Sequence, residues 1–149
     1  MPEHPLDVSV IIPLYNEQQS LAELHGLLAE VCDRQGLRAE FIFIDDGSTD
    51  GSFAVLRELP EKDPRVAVLQ FRRNFGKSAA LAEGFSHASG RYVVTMDADL
   101  QDDPAEIPAL IEKLEQGYDL ISGWKKERHD PFIKRVSSKL FNYVTGKMA

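Results

Sequence analysis

The chain has 149 residues, a single cysteine, 43% hydrophobic and 28% charged residues, and a formal charge of −7. That length suffices for one domain over 1–149 with a real core, and the lone Cys32 excludes a disulfide framework and fits a reducing, cytoplasmic compartment. No window nears the roughly 20 apolar residues of a membrane span, Met1 to Asp7 lacks the basic and apolar regions of a signal peptide, and the acidic body argues against nucleic acid as a partner.

Val8-Ser9-Val10-Ile11-Ile12-Pro13 is a short apolar run ended by proline, the pattern of a buried strand, and Leu14 to Glu17 form the loop leaving its carboxyl end. Ser20 and Glu23 make a capping-box pair, and Leu21, Leu24, Leu27, Leu28 and Val31 recur at helical spacing, which predicts a helix closing near Gly36. Glu40 to Ile44 reads as a second strand. It runs into Asp45-Asp46-Gly47-Ser48-Thr49-Asp50-Gly51-Ser52, a loop dense in turn and cap formers, with a short helix following to about Leu59.

Val66 to Leu69 is the third strand, Arg72 to Lys77 the loop after it, and Ala79 to Ala88 a helix whose Ala79, Ala80, Ala82 and Gly84 permit close approach to a sheet. Tyr92-Val93-Val94-Thr95-Met96 is the fourth strand and leads straight into Asp97-Ala98-Asp99-Leu100-Gln101. Asp103, Pro104 and Glu106 then start a helix with Ile107, Leu110, Ile111 and Leu114 as its stripe, up to Gly117. Leu120 to Gly123 is a brief fifth strand, and Pro131 opens a final helix with Ile133, Val136, Leu140 and Val144 on one face.

Strands alternating with helices predict an α/β fold with a mostly parallel sheet and helices on both faces, since parallel neighbours need crossovers. Ligands bind beyond the carboxyl ends of such strands, where strand order reverses. Tyr15-Asn16-Glu17, Asp45-Asp46, Arg72 to Lys77 and Asp97 to Gln101 all leave carboxyl ends. A 3-2-1-4 strand order would bring the first, second and last of these into one crevice.

While the chain stays extended, Asp97 and Asp99 project to one face and Gln101 follows them there. Two carboxylates and a neutral oxygen suit Mg²⁺ or Mn²⁺, which is usually held by one or two protein carboxylates with water and substrate phosphate completing the shell. Asp45 or Asp46 can accept hydrogen bonds from a base or ribose, and capping or turn formation is the competing role. Gly76-Lys77-Ser78 is not a P-loop, because Phe71 stands where the leading glycine is required, and no Gly-x-Gly-x-x-Gly follows the first strand.

These residues together resemble the catalytic domain of family 2 glycosyltransferases with the Rossmann-like, nucleotide-sugar-binding GT-A fold, most of all those acting on polyprenyl phosphates such as dolichol or undecaprenyl phosphate. The resemblance rests on four ordered motifs: Val8 to Glu17, Ile44 to Asp50, Arg73 to Lys77, and Asp97 to Pro104. It implies a metal-dependent, inverting transfer of a sugar from a UDP- or GDP-sugar donor to a lipid phosphate. Pro13, Tyr15, Glu17 and Asp45 would surround the nucleoside, Asp97 the ribose and metal, Asp99 and Gln101 the metal, and Lys77 would lie near the donor. Lys125, Arg128 and Arg135 fall where related enzymes hold the acceptor phosphate; lysine at the first keeps the charge but loses the bidentate geometry of arginine.

From Trp124 onward seven lysines or arginines face only Glu127 and Asp130, a net +5 that leaves −12 for the rest. The segment 131–147 is therefore a candidate for contact with an anionic membrane surface, for a homo-oligomer interface, or for completing the core. Family members continue into membrane-associated helices, so the chain reads as one truncated before them, placed at the inner face of the cell membrane. Two competing readings are a non-catalytic fragment that binds nucleotide sugar and a haloacid-dehalogenase-like phosphatase. The latter also sets Asp-x-Asp after an apolar strand but calls for Thr or Val at the position of Gln101.

Overall fold

A computed structural model describes residues 5–117. Four strands, β1 (Leu6–Leu14), β2 (Ala39–Asp45), β3 (Val66–Gln70) and β4 (Gly90–Thr95), form one sheet in the order β3-β2-β1-β4. Each neighbouring pair is parallel, with Leu14 opposite Asp45, Asp45 opposite Gln70 and Ile11 opposite Thr95. The alternation of strands and helices predicts parallel pairing but leaves the order open; the observed order is the 3-2-1-4 that places β1 between β2 and β4, where strand order reverses.

β1 is buried from Val8 through Leu14 because both faces of the sheet are covered. Side chains alternate along it: Val8, Val10, Ile12 and Leu14 pack against α1 (Leu21–Gln35), α2 (Ser52–Lys62) and α4 (Ile107–Glu115). Ile11 points the other way, with Ile42, Ile44 and Val93, onto Ala80, Leu81 and Phe85 of α3 (Lys77–His87). Of the four small residues predicted to admit α3 to the sheet, Ala80 and Gly84 are buried, whereas Ala79 and Ala82 face outward. Gly84 is indispensable in that contact, since a Cβ on it would lie 2.4 Å from Ile11 Cγ2 and 2.9 Å from Ile44 Cδ1.

Two polar clusters pin the frame away from the carboxyl edge. Glu40 Oε2 accepts from the Ser9 hydroxyl (2.6 Å) and from the amide and hydroxyl of Ser89 (both 2.8 Å), while the Gly90 amide donates to Ser9 Oγ (2.8 Å). Behind α1, Asp63 meets His25 Nε2 at 2.8 Å and receives Arg65 through Nε and Nη2 at 2.9 and 3.0 Å. Burial alone would raise the Asp63 carboxyl, but the hydrogen bonds from Arg65 and His25 outweigh it and hold its pKa well below the usual carboxylate range. Cys32, also on α1, is wholly buried, and burial pushes its thiol up.

Element ends differ from expectation for local reasons. α2 continues past Pro60 to Lys62 because buried Leu59 anchors the last turn and its carbonyl accepts the Asp63 amide (2.9 Å). α3 begins at Lys77, two residues earlier than expected, with the Gly76 carbonyl accepting from Ala80 at 3.2 Å. Asp103 caps a 3-10 turn over Pro104–Glu106 through its side chain, which accepts the Ala105 amide at 2.9 Å, before α4. The fifth strand at 120–123, the helix from Pro131, and Lys125, Arg128 and Arg135 lie outside the described residues.

Candidate functional site

β1 delivers its loop at the centre of the carboxyl edge. There Asn16 adopts φ 53, in the left-handed region that asparagine tolerates better than most residues. Its side chain secures the bend, Oδ1 accepting the amides of Thr49 (2.8 Å) and Asp50 (3.2 Å), and the Asn16 main-chain amide donates to Ser48 Oγ (2.9 Å). Glu17 donates its amide to Ser52 Oγ (3.0 Å), and Gln18 Oε1 accepts from Gly51 (2.8 Å). The loops after β1 and β2 are thus one laced unit, which turns Tyr15 and Glu17 toward the same cleft.

The two aspartates ending β2 divide their work. Asp45 is fully buried; Oδ1 accepts the Ser48 amide at 2.9 Å, and Oδ2 has no hydrogen-bond partner among the described residues. Asp46 takes the loop after β3 in hand, its two oxygens accepting the amides of Phe75 (2.7 Å) and Gly76 (3.1 Å). Gly47, at φ 74, lies against that loop so closely that a Cβ would fall 2.3 Å from the Arg73 carbonyl carbon. Asp46 and Gly47 together set where α3 starts, and hence where Lys77 stands.

Beyond β4 the chain does not stay extended. It turns at Ala98 and Asp99, and Leu100 takes φ 66. The Asp97 amide donates to Asp102 Oδ2 (2.9 Å), and Asp99 Oδ1 accepts the Gln101 amide (3.2 Å). The extended-chain argument for a common face is therefore replaced by a turn. Asp97 and Asp99 both still line the cleft, whereas Gln101 is exposed and not among the lining residues.

The expected capping box is also corrected: Ser20 occupies the N-cap of α1 but makes no side-chain cap bond. Its hydroxyl is instead 2.6 Å from the Ala98 carbonyl. A local Ser-x-x-Glu pattern cannot register a competing acceptor 78 positions away.

The cleft, about 280 Å³, is lined by Pro13, Leu14, Tyr15, Glu17, Asp46, Lys77, Asp97, Ala98 and Asp99. Lys77 Nζ meets Asp97 Oδ1 at 2.6 Å. Burial pushes the Glu17 carboxyl up, and the Asp99 carboxylate adds to it, with Asp50 and Asp97 contributing less. The site therefore carries more negative charge than Lys77 neutralises. Among the described residues no three His, Cys, Asp or Glu side chains form a ready-made metal site. Two aspartates on a crowded acidic wall fit a hard divalent ion that shares its shell with a ligand's phosphate oxygens.

Residues 9–146 match the family model described as Glycosyl transferase family 2. The chain belongs to that family. A curated relative, the undecaprenyl-phosphate 4-deoxy-4-formamido-L-arabinose transferase of Edwardsiella ictaluri (strain 93-146), is 43% identical over 145 residues, which is 94% of this chain and 45% of the relative. The family 2 chain thus spans less than half of that relative's length. Among solved structures, the mannosyltransferase PcManGT from Pyrobaculum calidifontis, in complex with GDP-Man and Mn²⁺, aligns with a TM-score of 0.62 at 26% identity over 82% of this chain and 37% of its own. Glucosyl-3-phosphoglycerate synthase from Mycobacterium tuberculosis, in complex with uridine diphosphate, aligns with a TM-score of 0.61 at 25% identity, over 78% and 42% of the two chains.

Within this family 2 chain, Pro13, Tyr15, Glu17, Lys77, Asp97 and Asp99 are gathered in one cleft, whereas Asp45 lies buried and is not among the lining residues. Asp46, for which the sequence offers a base or ribose contact or a cap, lines the cleft and binds the loop after β3. In sequence Asn16 is a loop residue and Ser20 a cap. The signal that identifies them is tertiary, because each hydrogen-bonds to another loop of the carboxyl edge.

Proposed function

We propose that this cleft binds the nucleotide diphosphate of a sugar donor together with Mg²⁺ or Mn²⁺, and that the protein transfers the sugar, with inversion, to a polyprenyl phosphate. The observation that carries the reading is the meeting of Asp97, Asp99, Glu17 and Lys77 at the carboxyl edge of the central strand. It is supported by the polyprenyl-phosphate substrate in the relative's name and by the GDP-Man, Mn²⁺ and uridine diphosphate bound in the similar structures.

Asp97 and Asp99 are the residues to hold the cation, which supplies charge stabilisation to the departing diphosphate. Gln101 reaches it only if the turn rearranges. Lys77, already paired with Asp97, offers a second positive charge beside the same diphosphate. Pro13 and Tyr15 form an apolar floor and wall for the nucleoside, and the unpartnered Asp45 Oδ2 can accept from a base N–H once the cleft opens onto it. The acceptor phosphate is anionic at neutral pH and needs positioning more than a general base. Lys125, Arg128 and Arg135 supply that positioning, and 131–147 meets the inner membrane surface where the lipid resides.

Calorimetry with UDP- and GDP-sugars, with and without Mn²⁺, tests the reading. Donor binding should require the ion and should vanish in Asp99→Ala with the fold intact, whereas equal affinity in wild type and variant refutes it. A second reading is a donor-binding domain without transfer. Donor binding without transfer to any lipid phosphate would establish it.

A further inference from the structure

We infer that Ser20 is a positioning residue whose hydroxyl holds the Asp97–Asp99 turn in the orientation that lets both carboxylates serve one cation. The inference rests on the metal-dependent reading above.

Ser20 stands where a helix cap belongs, and serine there would ordinarily accept an amide of the first turn. It does not. The hydroxyl lies 2.6 Å from the Ala98 carbonyl, 3.1 Å from the Glu17 carbonyl and 3.5 Å from Glu17 Oε2. A hydroxyl has one proton to give, and the shortest contact claims it. Ala98 is the residue between the two aspartates and is buried, so the direction of its carbonyl sets the peptide plane that leads into Asp99.

The turn has reason to need an outside hold. Leu100 sits at φ 66, a region that disfavours a bulky side chain; the turn carries the local bonds from Asp97 to Asp102 and from Gln101 to Asp99, and Lys77 holds the Asp97 carboxylate from α3, but neither of those local bonds nor that ion pair fixes the Ala98 carbonyl. Ser20 ties it to α1. The Ser20 amide also donates to the Glu17 carbonyl at 3.1 Å, so one residue joins the loop after β1 to the turn after β4, the two acidic walls of the cleft.

The test compares Mn²⁺ binding to the full chain, with UDP present, followed by loss of the free-ion electron paramagnetic resonance signal. The proteins are wild type, Ser20→Ala, Ser20→Gly, Ser20→Thr and Asp99→Ala. Ser20→Ala removes the hydroxyl alone, and because Ser20 makes no side-chain cap bond it forfeits none; Ser20→Gly keeps a good N-cap residue and checks that a change at the helix start is not the cause. Loss of one hydrogen bond predicts Mn²⁺ binding weaker by about five- to tenfold in Ser20→Ala and Ser20→Gly, with recovery to within about twofold in Ser20→Thr.

Wild-type affinity in both hydroxyl-free variants, alongside lost binding in Asp99→Ala, overturns the role of Ser20 and leaves the metal reading standing. Absence of Mn²⁺ binding in the wild type removes the metal reading and this role with it. Loss of the thermal transition in both hydroxyl-free variants assigns the hydroxyl to folding and also overturns the inference.

Discussion

The side chains that shape this cleft are of two kinds, those that offer their charge to it and those that aim its walls. Asp97, Asp99 and Glu17 belong to the first, and Asn16, Asp46 and Ser20 to the second. The first kind is legible in the sequence because several ordered motifs leave the carboxyl ends of strands together, which no single acidic pair would establish. The second is hidden because asparagine, aspartate and serine in loops satisfy local turns equally well, and their true partners lie some 30 to 80 positions distant.

Asp63 gives a residue-scale prediction remote from the cleft. Its folded pKa lies below the unfolded value, so its contribution to stability is fully present above about pH 4 and is lost as pH falls through the folded pKa. Asp63→Asn should cost about 2 kcal/mol at pH 7, because His25 and Arg65 lose a charged partner. It should also flatten the acid limb of stability below pH 4. Urea unfolding at pH 7, 5 and 3 measures both, and a constant difference across that range contradicts the assignment.

At the scale of elements, the parallel sheet was readable because parallel neighbours demand crossovers and helical stripes lie between the strands, whereas the order β3-β2-β1-β4 was one of several that this alternation allows. Element ends were less legible. The helix expected to end about Leu59 runs on through Pro60 to Lys62, with Leu59 buried in the core and its carbonyl accepting the Asp63 amide. The close seat of α3 on β1 and β2 predicts that Gly84→Ala loses about 1–3 kcal/mol through overpacking against Ile11 and Ile44. A thermal melt of the purified variant shows it. Unchanged stability would mean that α3 can lift from the sheet without cost, and the start of α3 at Lys77 would then be less firmly set than described.

For the whole molecule, charge is divided along the chain, −12 before Trp124 and +5 from it onward. The proposed donor cleft lies in the acidic part, where a divalent ion would reconcile carboxylates with a diphosphate. The basic part suits the acceptor's phosphate and an anionic lipid surface. This division predicts that Arg135→Ala leaves donor affinity within about twofold of wild type while lowering use of a polyprenyl phosphate at least tenfold, the loss expected for one charged hydrogen bond. Parallel donor calorimetry and transfer assays separate the two effects. A fall in donor affinity would place Arg135 in the wrong half of the reaction.

The interior seat of Cys32 has a practical use. With the one native thiol sealed in the core and its ionisation suppressed, a cysteine installed by Ser78→Cys, exposed beside Lys77, becomes the sole site that a maleimide dye can reach. Emission from such a dye would report occupancy of the neighbouring cleft in real time, with no background label to subtract.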